Sequence, residues 1–467
     1  MIFRKPSLFT KKVPSTQWVV IASFLLTFAV GALLLAMPVS RVAGTWGRPL
    51  ESLFLSISAT CVTCLSPIVE LTKVFSPFGL GVILLLVQIG ALGIMTIGTF
   101  IIEVVGRRAS MREEQMLMDS LGERSGDRIR SLLLGAVVFT AFWEAVGTLV
   151  LSLRLHIVYG YSAHRALGYG FFHAVTGFCN AGLSLYPDSL RRFAADPVML
   201  LTFAALILIG GIGFIVHRNL LSLRPWRRNR LHRGRLTLHS RVVLVGALVT
   251  VVLGWLLNWI CERNGAFAGL SSGQQVLDAF FKAVTTRTCG FTATDEMTFG
   301  GFSQYFSMLV MLIGGAPGST AGGLKVTTAV VLLATVSSMI HNREECELWH
   351  RTIPARVVRE SIAILMLGAT AVFTATFLLH LFEAGSPVFF PGHDRGLSIR
   401  LVYEAVSAFG TVGLSLDTTP NLTVPSQICL LVCMFIGRLG PLTLAMTMSG
   451  AAPRRPRRYP EEGIVVG

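Results

Sequence analysis

Four short stretches, spaced at nearly equal intervals, leave this chain few possible folds. They are Thr60-Cys61-Val62-Thr63-Cys64-Leu65, Phe178-Cys179-Asn180-Ala181-Gly182-Leu183, Arg287-Thr288-Cys289-Gly290-Phe291 and Gly410-Thr411-Val412-Gly413-Leu414-Ser415. Each begins at the end of an apolar run too short to cross a bilayer, and each lies between two longer apolar runs. The matching positions 64, 182, 290 and 413 are 118, 108 and 123 residues apart. Self-similarity at a fixed period outranks local readings of secondary structure. Four copies of span, short helix, extended loop and span are how one polypeptide builds a four-fold pore.

Composition supports a membrane setting. The 467 residues are 52% hydrophobic and 14% charged, with a mean hydropathy of +0.65, whereas a soluble protein carries roughly 25% charged residues. The apolar runs reach roughly 20 residues, enough to cross the hydrocarbon core. The first, Trp18 to Met37, follows Arg4, Lys5, Lys11 and Lys12 and has the outline of a signal peptide. It lacks a clear small-residue cleavage site, and the repeat needs it as a first helix.

The net charge of +15 is distributed in a way that argues against nucleic acid. Basic residues cluster at the N-terminus, at Arg107 and Arg108, from Arg218 to Arg241, from Arg343 to Arg359, and at Arg454 to Arg458. These are alternate loops, so the pattern is positive-inside with both termini cytoplasmic. Anionic membrane lipids are the expected partners of this charge. Of the eight cysteines, Cys61 and Cys64 form a CxxC, but no second pair completes a metal site. Cys429 and Cys433, one helical turn apart in an apolar run, read as packing residues.

The expected fold is an all-α polytopic membrane protein: four tandem helix–pore-helix–loop–helix repeats around a pseudo-four-fold pore, with eight spans. The segments are a cytoplasmic N-terminus (1–17), repeat one (18–105), a cytoplasmic linker (106–130), repeat two (131–221), a basic cytoplasmic loop (222–241), repeat three (242–340), a linker (341–358), repeat four (359–448) and a cytoplasmic tail (449–467). The helices after each loop are expected over Phe78–Val105, Val198–Leu221, Tyr305–Ile340 and Pro425–Met448. They share a glycine motif: Ile89-Gly90-Ala91-Leu92-Gly93, Ile209-Gly210-Gly211-Ile212-Gly213, Ile313-Gly314-Gly315 and Ile436-Gly437-Arg438-Leu439-Gly440. Small residues of this kind serve close helix packing and also bend helices that line a cavity.

Non-helical backbone at membrane depth must be buried in protein or face water. Four equivalent loops most simply surround one axis. Glycine takes positive φ without a Cβ clash, so successive carbonyls can point at that axis. Rings of carbonyls replace the hydration shell of a monovalent cation, and the negative C-terminal ends of the short helices favour a cation nearby. No loop offers a carboxylate ring, which argues against a divalent-cation filter. His173 and Glu404 hold equivalent places in two short helices and are expected to brace their loops. Glu103 and Glu144, within spans, read as helix contacts.

At these residues the chain resembles the Trk, Ktr and HKT superfamily of potassium transporters over nearly its whole length. Glu404 to Ser415 looks like that family's fourth filter, Ala283 to Thr292 its third and His173 to Leu183 its second. Gly437-Arg438-Leu439-Gly440-Pro441-Leu442-Thr443-Leu444 and the tail Tyr459-Pro460-Glu461-Glu462 resemble the Ktr-type membrane subunit (KtrB) most. The resemblance implies K+ held by backbone oxygens of Val62, Thr63, Asn180, Ala181, Thr288, Cys289, Thr411 and Val412, with Cys64, Gly182, Gly290 and Gly413. In the family the first filter usually has glycine at the position of Cys64, and some plant relatives with serine are less selective. A non-glycine residue held left-handed costs about 1–2 kcal/mol, so the expectation is a weakened preference over Na+.

Two gates are expected. The third inner run is interrupted by Gly314-Gly315-Ala316-Pro317-Gly318-Ser319-Thr320-Ala321-Gly322-Gly323, ten residues that cannot hold a regular helix. The resemblance makes this the family's intramembrane gating loop. Arg438 falls near the middle of the last run, where a charge is expensive and tends to face a watery cavity. The resemblance makes it the pore arginine, a fixed positive barrier to cations. Lys325 is a weaker candidate for anchoring lipid or loop.

No GxGxxG or Walker motif is present where a soluble domain could hold it, so no organic cofactor is expected on this chain; with no HExxH and no paired aspartates at membrane depth, no enzyme activity is expected either. The resemblance implies a homodimer on a cytoplasmic nucleotide-binding regulatory ring of the KtrA type, in the cell (inner) membrane. Two rival readings stand beside potassium uptake: a less selective Na+/K+ transporter, and an alternating-access secondary cation symporter with a midplane site.

Overall fold

The computed structural model describes residues 16–93, 129–223, 235–386 and 396–441. The expectations for the linker 106–130, Glu103, most of the basic loop 222–241, Leu442 to Leu444 and both cytoplasmic termini lie outside these residues. The first quarter contributes α1 (Thr16–Ala36), α2 (Pro49–Cys61) and α3 (Pro77–Leu92). The second contributes α4 (Ile129–Ile157), α5 (Ala163–Phe178), α6 (Pro197–Ile212) and α7 (Phe214–Ser222). Next come α8 (Leu238–Glu262), α9 (Ser272–Thr285), α10 (Gly301–Leu312) and α11 (Val326–Ile340). After a two-residue hairpin, β1 (Glu347–Leu348) against β2 (Arg351–Thr352), the fourth quarter contributes α12 (Ala355–Glu383), α13 (Leu397–Gly410) and α14 (Val424–Leu439).

Local chemistry fixes where these helices begin. Pro49, Pro77 and Pro197 occupy first-turn positions, where the missing N–H costs nothing and φ is already helical. Ser76 caps α3, Asp196 caps α6, and Ser271 with Gln274 forms a capping box on α9.

Among the described residues, three helices, Leu134–Ile157, Leu238–Glu262 and Ala355–Glu383, are long and apolar enough to cross a membrane, and the bent pair α6–α7 makes a fourth candidate. In Ala355–Glu383 only 17% of the apolar window is buried, and Met366, Phe373, Phe377 and Leu381 face outward. Such a face suits lipid rather than water. The interior is aromatic: Phe54, Phe75, Phe203, Phe281, Phe291, Tyr403 and Phe409 are fully buried.

The helices pack in a cyclic order. Each short helix α2, α5, α9 and α13 contacts the long helix before it, and the helix after each loop contacts the short helix of the next quarter: α3 with α5, α6 with α9, α10 with α13, and α14 back to α2.

Within the described residues, the helices after the loops break at glycines rather than running straight on. The run Val198–Leu221 is not one helix: α6 stops at Ile212, Gly213 takes φ +88°, and α7 leaves at 90°. α3 and α14 end in the same way at Gly93 (φ +75°) and Gly440 (φ +84°). The third is interrupted from Ile313 to Lys325, around the expected loop 314–323.

Candidate functional site

Three of the four loops are built alike at the level of hydrogen bonds. After α2, Val62 is left-handed (φ 58°), its N–H donates to the Ala59 carbonyl, and the Thr63 N–H reaches back to Ser58 at 2.8 Å. After α5, Asn180 (φ 58°) and Ala181 repeat this with Gly177 and Thr176; after α13, Thr411 (φ 50°) and Val412 repeat it with Ala408 and Ser407. This paired closure is a Schellman motif, which turns the N–H groups back on the helix. The third loop differs: Thr288 is not left-handed, and the Thr288 and Cys289 N–H groups both donate to the Thr285 carbonyl.

One residue further on, all four loops are left-handed: Cys64 (φ 72°), Gly182 (φ 55°), Gly290 (φ 88°) and Gly413 (φ 88°). These four residues line one cavity of about 190 Å³, together with Ser184, Asp188, Glu296, Ser415 and Asp417. They also meet in a ring. A Cβ on Gly182 would overlap the Cys289 carbonyl oxygen, one on Gly290 the Val412 oxygen, and one on Gly413 the Thr63 oxygen; the Cys64 sulfur lies against Gly182 and closes the circle. At three of the four junctions a backbone oxygen of one loop therefore lies directly against the glycine of its neighbour. The four short helices end at these loops, so their C-terminal dipoles add negative potential to the backbone oxygens, and Asp188, Glu296 and Asp417 add carboxylates to the same cavity; backbone oxygens of this kind suit a monovalent cation.

Below the loops, the segment 313–325 docks on α6. The Ala316 N–H donates to Gly211 O at 3.0 Å, the Thr320 N–H to Gly210 O at 3.4 Å, and the Val326 N–H returns to Gly315 O at 3.1 Å. Gly210 is small because its own helix presses on the end of α5: a Cβ there would overlap the Phe178 carbonyl oxygen. Gly90 against Thr60 and Gly437 against Phe409 have the same geometry. Gly322 lies under Thr411, where any side chain would meet the threonine hydroxyl.

Arg438, in the last turn of α14, does not turn to an interface. It donates to the Thr320 carbonyl at 2.7 Å and to the Gly90 carbonyl, so it joins the interrupted segment to α3. The Lys325 ammonium donates to Ala321 O at 2.7 Å, back onto the same segment.

A ring of buried polar contacts supports the loops from behind. His173 accepts from the Leu185 N–H at 3.3 Å and meets the Ser184 hydroxyl at 3.2 Å, while Glu404 accepts from Ser415 and from Thr419 at 2.8 Å. Ser184 and Ser415 each stand two residues beyond Gly182 and Gly413. In the third quarter Lys282 pairs with Glu296, which also accepts from the Tyr403 hydroxyl at 2.9 Å. Glu144 accepts from Gln88 at 2.5 Å and from the Cys179 thiol at 3.5 Å, so it touches the second loop directly. Cys433 donates weakly to Ala405 O at 3.6 Å and Cys429 to Ala375 O at 3.8 Å, both packing contacts. Sequence reasoning missed Lys282, Glu296 and Tyr403. The available signal was a lysine and a tyrosine within the apolar C-terminal halves of two short helices, Ala279–Thr285 and Leu401–Phe409.

Known proteins match this architecture. The model of the TrkH family, described as cation transport protein, matches residues 9–455. Ktr system potassium uptake protein B of Bacillus subtilis is 32% identical over 447 residues, covering 95% of each chain. The protein of the same name from Vibrio alginolyticus is 32% identical over 451 residues, covering 96% of this chain and 94% of the relative. Potassium/sodium uptake protein NtpJ of Enterococcus hirae is 30% identical over 450 residues, covering 96% of each chain. The crystal structure of the potassium transporter TrkH from Vibrio parahaemolyticus superposes with a TM-score of 0.70 at 17% identity, covering 95% of this chain and 86% of that one, a likeness of fold. The match spans nearly the whole chain in sequence and in fold, and the chain belongs to the TrkH family of cation transport proteins.

Proposed function

We propose that the chain is the ion-translocating subunit of a potassium uptake system. K+ passes through a filter of backbone carbonyls supplied by residues 62–64, 180–182, 288–290 and 411–413. One observation carries this: residues 64, 182, 290 and 413 line a single cavity and touch one another in cyclic order. The cyclic helix contacts support four quarters around one axis, each with two spans, and the basic clusters support cytoplasmic termini. The segment 314–323 is the gate, held closed by Arg438 through Thr320.

Two relatives are named as protein B of a Ktr system, which supports a second component beside the membrane subunit; we propose a homodimer working with a cytoplasmic nucleotide-binding ring of the KtrA type. Growth rescue of a potassium-uptake-deficient bacterium at low K+, with and without that ring and with and without Na+, tests the proposal. Rescue with K+ uptake is expected. Absence of uptake both in cells and by the purified protein in vesicles would overturn it.

A second reading, a less selective Na+/K+ transporter, is favoured by Cys64 at φ 72°, where the other three loops have glycine, and by the potassium/sodium uptake named for the Enterococcus relative.

A further inference from the structure

Two residues before the ring lies a layer of side chains: Val62, Asn180, Thr288 and Thr411, all fully buried. Asn180 has a carboxamide there, which offers both a donor and an acceptor. Its Nδ2 donates to the Thr320 hydroxyl at 2.6 Å, and its Oδ1 accepts from the Thr288 hydroxyl at 3.1 Å. The orientation of this amide follows from its neighbours. The Thr320 hydroxyl gives its own proton toward the Phe178 carbonyl at 3.3 Å, so it can only accept from Asn180. The Thr320 carbonyl in turn accepts from Arg438 at 2.7 Å, and Arg438 also holds Gly90.

The result is a continuous chain, Thr288 to Asn180 to Thr320 to Arg438 to Gly90. It joins the second and third loops to the interrupted segment and to α3. Beside it, Gly322 of the same segment docks under Thr411. The segment is therefore seated directly on the residues that set the shape of the loops above it, through Asn180 on one side and Thr411 on the other.

We infer that Asn180 and Thr320 are specificity-determining positioning residues: their hydrogen bond couples the seating of the intramembrane segment to the geometry of the filter, so that displacing the segment loosens discrimination between K+ and Na+. The inference rests on the potassium-pore reading above. The Asn180 side chain is buried among protein groups that it satisfies, so loss of either partner leaves a buried polar group unpaired. Thermodynamic linkage makes the effect reciprocal: an ion that binds best to the ordered filter also favours the seated segment.

The test is the K+ to Na+ uptake ratio of purified protein in vesicles, a quantity independent of how much protein folds. Asn180→Gly keeps the left-handed backbone without strain and removes the whole side chain, with its bonds to both Thr320 and Thr288. Thr320→Val removes the hydroxyl at nearly constant volume, and Thr320→Ser restores it. Asn180→Gly and Thr320→Val are each expected to lower the ratio by roughly 3- to 10-fold, the scale of one buried hydrogen bond. The double variant should fall by clearly less than the product of the two single effects, because both remove the Asn180–Thr320 bond, and Thr320→Ser should hold the wild-type ratio. A ratio unchanged in the single variants, a purely multiplicative double variant, or a loss of rate at constant ratio would each overturn the inference. A wild-type protein that passes no K+ would instead overturn the functional reading itself.

Discussion

Lys282 and Glu296 form an ion pair with only 5% and 4% of their side chains exposed, and the pair brackets the third loop. It ties the end of α9 to the chain beyond the loop, and Tyr403 adds a contact from α13. A buried pair contributes little net stability, but removing one partner strands the other. Lys282→Met is expected to cost about 3–5 kcal/mol, read as a lower midpoint of thermal unfolding in detergent. Lys282→Met combined with Glu296→Gln should recover part of that loss. An unchanged midpoint in the single variant would mean that the third loop holds itself.

Arg438 donates to Thr320 and Gly90. Under the proposed gating, Arg438→Ala removes both the tether and the positive charge, and each charge-assisted bond contributes about 1.5–3 kcal/mol. K+ flux should rise by roughly tenfold or more, and partial deletion of 314–323 should act in the same direction. Equal flux in both variants would contradict a gate there.

Cys64 holds φ 72°. Cys64→Gly removes about 1–2 kcal/mol of left-handed strain and, in the proposed filter, should raise the K+ to Na+ uptake ratio. A ratio that stays where it was would sink the link between this cysteine and selectivity.

Gly210 presses on the Phe178 carbonyl. Gly210→Ala overpacks that contact, at a cost of about 1–3 kcal/mol, and pushes α6 away from both α5 and the interrupted segment. A lower unfolding midpoint is expected in detergent; wild-type stability would show that the helices can separate without loss.

Asp196 caps α6 and accepts from Arg154 at 2.8 Å, from Tyr159 at 3.1 Å and from the Val198 and Met199 N–H groups. Burial alone would raise its carboxyl, but these donors outweigh it and hold it below the usual carboxylate range. A depressed folded value means that the stabilisation is complete above the ordinary carboxylate range and is lost as pH falls through the folded value. The unfolding midpoint should therefore drop on the acid side. Asp196→Asn keeps the cap but should flatten that part of the pH profile; an identical profile would dissociate Asp196 from it.

The positions of the loops were legible because spacing and glycine survive in a linear reading: residues 64, 182, 290 and 413 lie together in space. The ends of the following helices were harder. A run such as Val198–Leu221 is uniformly apolar, and hydropathy has no signal for a 90° turn. The second glycine of each Ile-Gly-x-x-Gly motif carried that information, because Gly93, Gly213 and Gly440 all take positive φ. The different turn at Thr288 was hidden because its hydrogen bonds depend on backbone geometry, not residue type. The bond between Asn180 and Thr320, 140 residues apart, is invisible without coordinates. Two ordinary polar residues become partners only through the packing of α6 against both loops.

The ring of loops comes from a single polypeptide, and this has an evolutionary consequence. An assembly of identical subunits must accept every substitution at all of its symmetry-related corners at once. Here each corner is encoded separately, so a cysteine can replace glycine in one quadrant, and a different turn can enter another, while the remaining two stay as they were. Such a chain can be retuned one quarter at a time.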